Sequence, residues 1–303
     1  MVNLNFKKNN IITILLTSFT IIIGSINLFS FQNSFAHNFS PDESAHFLTI
    51  VDKIKVESEL AANNTGNNNL SSAQLHANNA LLNYDSHTKD ELGERNERIA
   101  NELDETLNQL LEESKSKTDQ SQITDTAETI AAILDEAISA RIEVEQVNNS
   151  TIQALVLASI VDTALQNYGD AYNVGFDLTN MSNLNKETLT NEITTTTTNE
   201  HTDHASTNTS IRFNLVNLTN YESALAFSNN ALEKFYNDIS TASLPLSEEN
   251  NITNKQTYIK KLENGLTEFN NVLKNKENPI KVMEIVHTQI HPNLQILFNL
   301  KIE

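Results

Sequence analysis

Beyond residue 40 the chain alternates between short polar stretches and segments in which apolar residues recur every three or four positions, the period of a helix with one buried face. Ser40-Pro41-Asp42-Glu43 has the form of a helix start: Ser40 as N-cap, Pro41 at the first helical position, Glu43 completing a capping box. Phe47, Ile50, Ile54 and Ala61 follow at helical spacing, and the Asn-rich stretch 63–69, with Gly66, breaks this first helix. A second helix is predicted over about 71–83, with Ala73, Ala77, Ala80 and Leu81 on one face. A third starts near 88 and carries Leu92, Ile99, Leu103, Leu107 and Leu110; its Glu-rich remainder is a solvated face. A fourth covers about 122–142, with Ile123, Ala127, Ile130, Leu134 and Ile138. The fifth, about 151–172, is the most hydrophobic. Ile152, Leu155, Val156, Ile160, Ala164 and Leu165 leave it little polar surface, which predicts the central helix of the core.

From about 179 to 212 the apolar period disappears, and five consecutive threonines, 194–198, lie among Asn, Ser and Asp, so a flexible linker is expected there. Thr219-Asn220-Tyr221-Glu222 predicts a second capping box, opening a helix with Ala224, Leu225, Leu232, Phe235 and Ile239. Another helix spans about 255–275, with Tyr258, Leu262, Leu266, Phe269 and Leu273. Asn278 and Pro279 start the last one, which carries Met283, Val286, Ile290, Leu294 and Leu297 and should kink at Pro292, a residue without an N–H.

The N-terminus has a different character. Lys7 and Lys8 precede an apolar run over about 11–31, and Ser34-Phe35-Ala36 places small residues at the −3 and −1 positions of a cleavage site before His37. Residues 1–36 are therefore expected to be a signal peptide, or an uncleaved anchor given the length of the run, with the rest of the chain extracytoplasmic. The whole reads as an all-α protein, an up-down bundle of about eight helices outside the membrane. Residues 37–178 form a first bundle of about five helices, 179–212 the linker, and 213–303 three helices packed on the first bundle.

Composition narrows the function. The 303 residues hold 20 Lys+Arg against 39 Asp+Glu, a net charge of −19, which disfavours nucleic acid and anionic membranes, so membrane contact is expected only through an uncleaved N-terminal segment. The absence of cysteine excludes thiolate metal sites, Cys nucleophiles and blue-copper centres, and leaves stability to packing alone. With six Gly and no Trp, Gly-rich phosphate loops and β-sandwich turns are disfavoured. Nine N-x-S/T sequons, at Asn38, Asn63, Asn69, Asn148, Asn149, Asn180, Asn208, Asn217 and Asn251, make a glycoprotein possible in an exported chain. No nucleophile elbow, phosphate loop or His-Glu-x-x-His is present, and the chain is read as a non-enzyme rather than as a helical peptidase-like or redox enzyme.

The chemistry that remains is that of histidine. His287 and His291 form H-x₃-H on a predicted helix, which puts two imidazoles on one side, and Glu284 stands three residues earlier on the same stripe. They lie about one position off the apolar stripe, where histidines also serve as packed, hydrogen-bonded residues. Glu-x-x-His recurs at Glu43 and His46; two such pairs are the kernel of dinuclear carboxylate sites, which need two further glutamates, with Glu102, Glu136 and Glu145 as candidates. Glu43 is already committed to the capping box. His37, exposed as a new N-terminus by cleavage after Ala36, has an α-amine and an imidazole that together chelate copper, and His76 is a further candidate ligand. His201 and His204 fall in the linker.

Ala36-His37-Asn38-Phe39-Ser40-Pro41-Asp42-Glu43-Ser44-Ala45 and Val286-His287-Thr288-Gln289-Ile290-His291-Pro292-Asn293-Leu294 resemble exported helical proteins of ammonia-oxidising archaea, a group with no assigned activity. The resemblance covers most of the chain apart from the linker; it implies an archaeal cell-surface location and a copper-dependent metabolism. Leu165-Gln166-Asn167-Tyr168-Gly169-Asp170-Ala171-Tyr172, with Gly175 and Phe176, is similar to extracytoplasmic helical domains of iron-uptake systems and carries no ligand residue across. Two functions are compatible with all of this. One is a surface protein that binds copper, iron or zinc through His287, His291, Glu284, His76, His46 or His37 for storage, delivery or sensing. The other is a non-catalytic structural or partner-binding module of the archaeal cell envelope, its partner an envelope protein and its cofactor none.

Overall fold

Ser40 starts the fold as its sequence predicts. In the computed structural model, which describes residues 40–116, 119–180, 213–241 and 252–301, Ser40 Oγ accepts from the Glu43 amide at 3.2 Å and the Glu43 carboxylate accepts from the Ser40 amide at 2.7 Å. The expected signal segment 1–36, His37, most of the expected linker, His201 and His204 lie outside the described residues. Among the described residues all regular structure is helical, and no helix is long and apolar enough to cross a membrane. The described residues make up one compact unit.

Helix α1 (Pro41–Gly66) runs past the expected break at Asn63. Asn64 and Thr65 donate their side chains back to the carbonyls of Leu60 and Ala61, at 3.1 and 3.0 Å, and so are spent within the helix rather than on a cap or turn at 63. The chain reverses only at 67–69, where Asn68 takes a left-handed φ of 59°. Asn69 then caps α2 (Leu70–Asn83), and Asp85, accepting from the Thr88 amide at 2.8 Å, caps α3 (Ser86–Ser114). Helix α3 is interrupted at Asn96, whose backbone is extended and whose side chain accepts from the Ile99 amide, so a second N-cap sits inside what looks like one amphipathic run. Helix α4 (Gln120–Arg141) and a short turn unforeseen in the sequence, α5 (Val144–Val147), lead to α6 (Ser150–Ala171), capped by Asn149.

Helix α6 is the central one. Ile152, Val156, Ile160, Ala164 and Leu165 are all buried, against α1 on one side and α7 (Leu218–Lys234) on another. The capping box expected at Thr219 does not form. Asn217 is the N-cap, accepting from the Asn220 amide at 3.1 Å, because the amides of Val216 and Asn217 both donate to the Ala171 carbonyl and pin the chain one turn-start earlier. Thr219 and Glu222 are thereby inside the helix, and Glu222 is free for another partner. Helix α7 ends in a widened π turn, Phe235–Ile239. Helix α8 (Ile252–Lys274) is tied to the core by two tyrosines: Tyr168 donates to the Glu277 carbonyl at 2.6 Å and Tyr221 to that of Leu273 at 3.1 Å. Asn278 and Pro279 start α9 (Pro279–Ile285) as expected, and α10 (His291–Phe298) closes the described chain.

Candidate metal centre

Between α9 and α10 lies a second π turn, Val286–Ile290, in which the His291 amide reaches back five residues to the Val286 carbonyl. Pro292 accounts for it. Its ring would clash with the carbonyl four residues back and it has no N–H to give; widening the preceding turn relieves both, and the Asn293 side chain donates through Nδ2 to the Gln289 carbonyl. The kink expected at Pro292 is thus absorbed one turn earlier. The extra residue also shifts the register. Glu284 stands apart from the two histidines: it is exposed, while His287 is half-buried and His291 only 5% exposed.

His287 Nε2 lies 3.0 Å from the carbonyl of Leu178 in the segment following α6. A carbonyl only accepts, so Nε2 carries the proton and Nδ1 keeps its lone pair. Burial pulls the His287 pKa below its ordinary value; the nearby His291 adds to this, while the Leu178 carbonyl, Asp162 and Asp177 oppose it. The two imidazoles meet edge to face, ring centroids 5.2 Å apart. His291 Nε2 is 3.1 Å from Asp162 Oδ1 on α6, yet neither atom has a hydrogen bond and both are shielded from solvent. The distance is that of an ion pair; the alignment is not that of a hydrogen bond. Two ligand atoms bonded to one ion at about 2.0–2.1 Å stand roughly 2.9–3.4 Å apart, so the spacing fits two donors aimed at a common ion.

His76 is placed elsewhere. It is fully buried on α2, its Nδ1 2.7 Å from Glu57 Oε2 on α1 and its Nε2 3.0 Å from Glu222 Oε2 on α7. Ser223 donates to the other Glu57 oxygen at 2.7 Å, and Asn64 donates to Glu222 at 3.2 Å. Burial drives the imidazole pKa down, but the hydrogen bonds and charges of Glu57 and Glu222 outweigh it and the pKa is raised. Both nitrogens face carboxylate oxygens and both must donate, so the imidazolium has no lone pair for a metal.

The remaining candidates do not join either group. His46 is exposed on α1. It lies near Asp85, whose carboxyl is held low by its bonds to Thr88 and, more weakly, by His87 and His46. Glu43 is engaged in the cap, Glu102 and Glu136 are both bridged by Arg98, and Glu145 is exposed on α5. Among the described residues no three His, Asp or Glu side chains surround one point at ligand distance, so the two Glu-x-x-His pairs do not assemble a dinuclear site. Sequence reasoning missed Asp162, Glu57 and Glu222. The first two had a signal: Asp162 is the one charge in residues 152–165, and Glu57 lies in line with Ile54 and Ala61 on the buried stripe of α1. Glu222 was hidden by its resemblance to a capping residue. No protein family, no curated protein and no solved structure matches the chain.

Proposed function

We propose that this is an exported, cell-surface helical protein that takes up a transition metal ion between His291 and Asp162 for storage, delivery or sensing, the adjacent His287 ring, which does not stand at ligand distance from their common point, turning in as third donor when the ion binds. The observation that carries the reading is the buried pair of unsatisfied atoms, His291 Nε2 and Asp162 Oδ1, 3.1 Å apart without a hydrogen bond. A buried polar atom left unsatisfied is costly, and an ion held between the two relieves both at once. His287 has its Nδ1 lone pair available and an imidazole depressed toward the neutral, ligating form. Two imidazoles and a carboxylate suit copper, iron or zinc. In this reading residues 1–36 are the signal peptide or anchor, the helices form an up-down bundle outside the membrane, and the likeness to proteins of ammonia-oxidising archaea favours copper.

Titration of the purified chain with copper(II), zinc(II) and iron(II), followed by calorimetry, tests this. One equivalent should bind to the unaltered protein. His291→Ala and Asp162→Asn should abolish that binding, His287→Ala should weaken it at least about tenfold, equivalent to 1.4 kcal/mol, and Glu284→Gln should leave it unchanged. Equal binding by all four variants would sink the assignment.

A further inference from the structure

A second candidate site uses none of the side chains of the histidine pair or its Asp162 partner. Lys53 on α1 is half-buried, and among the described residues it has no ion pair and no hydrogen bond. The contrast with its neighbours is plain: Lys55 pairs with Asp135 at 2.6 Å, and Lys234 with Asp52 at 3.1 Å. Lys53 lines a cleft of about 240 Å3 between α1, α2, α6 and α7, together with Glu57, Asn79, Asn83, Asn167 and Asn220. Glu57 is not available to neutralise it, because one carboxylate oxygen accepts from Ser223 and the other faces His76 and Asn79. Burial without a counter-charge lowers the Lys53 pKa, as an amine awaiting a partner should show.

The other walls define what that partner must offer. The side-chain amides of Asn83 and Asn167, which line the cleft, each spend one N–H on the carbonyls of Asn79 and Thr163, at 2.9 Å, and keep their side-chain carbonyl oxygens uncommitted as acceptors. A sulfate presents only acceptors and charge to such oxygens. A carboxylate with hydroxyl groups satisfies both ends, its anion on Lys53 and its O–H donors on the Asn oxygens. We infer that the cleft around Lys53 is a binding site for a small hydroxylated carboxylate of the sugar-acid or hydroxy-acid class. The site is separate from the histidine pair and does not depend on a metal.

D-Gluconate is the probe. Calorimetric titration of the full chain should give saturable one-to-one binding, with sorbitol, hexanoate and sulfate at least tenfold weaker. Lys53→Met should reduce gluconate binding at least tenfold while leaving the helical circular dichroism intact. A measurement that needs no variant runs alongside: acetylation of lysines mapped by mass spectrometry, in which gluconate, and not sorbitol, should slow modification of Lys53 selectively. Absence of saturation, equal binding of sulfate or hexanoate, undiminished binding by Lys53→Met, or unprotected Lys53 at saturating gluconate each overturns the assignment.

Discussion

His76 shows how much one buried side chain can commit. With Glu57 almost wholly buried at its Nδ1 and Glu222 at its Nε2, its removal strands a carboxylate in the core. His76→Ala is expected to destabilise the fold by about 3–5 kcal/mol, read as a lowered urea midpoint. The pH dependence has a definite sign. The folded-state pKa is raised above the ordinary 6.5, so the stabilisation is fully present below that value and is lost as pH rises through the raised pKa. Chemical denaturation of the unaltered protein at stepped pH above 6.5 should show this fall, and His76→Gln, which cannot titrate, should lack it. The sequence could announce only half of this trio. Glu57 breaks the apolar stripe of α1, a visible anomaly, but its partner lies 19 residues away and Glu222 lies 146 residues beyond His76. Spacing along a helix does not encode which distant side chain meets it.

At the scale of the element, the two π turns and the kinked α3 are where periodicity misleads. Val286–Ile290 packs against α8 at Gly265, where an added Cβ would stand 3.1 Å from Gln289 Cβ and 3.3 Å from Ile290 Cγ1. Both are anchored close to the backbone and cannot swing aside. Gly265→Val should therefore cost about 1–3 kcal/mol through overpacking. Gly93, in α3, is the control: its nearest neighbour for an added Cβ is Ala100 at 3.8 Å, so Gly93→Ala should stabilise by about 0.5–1 kcal/mol by removing chain freedom from the unfolded state. Thermal melts of the two variants should move in opposite directions. Element starts were legible in the sequence at Ser40 and Asn278, where an oxygen-bearing cap precedes a proline. The start at 217 was not, because Asn217 and Thr219 are both competent caps and a tertiary hydrogen bond to Ala171 decided between them.

The molecule as a whole carries a net charge of −19, and the 39 acidic side chains face only 20 basic ones, so nearly half of the acidic groups have no basic partner one-to-one. Self-repulsion works against the compact state, and salt screens it. Raising ionic strength from about 0.01 M to about 0.15 M shortens the screening length from about 30 Å to about 8 Å and should raise the melting temperature. A flat or falling melting temperature in calorimetry would place the controlling electrostatics in the ion pairs rather than in the net charge.

The amino-acid order alone determined that the described chain is helical, which segment is apolar enough for the centre, and where the first and last helices begin, because each depends on residues within about two turns of one another. Tertiary structure decided the rest. It chose Asp162 as the companion of His291, turned His76 from a candidate ligand into a buried cation, and left Lys53 facing a cleft. Each of these outcomes depends on how distant helix faces cross, and a crossing is set by the summed packing of many side chains rather than by local pattern.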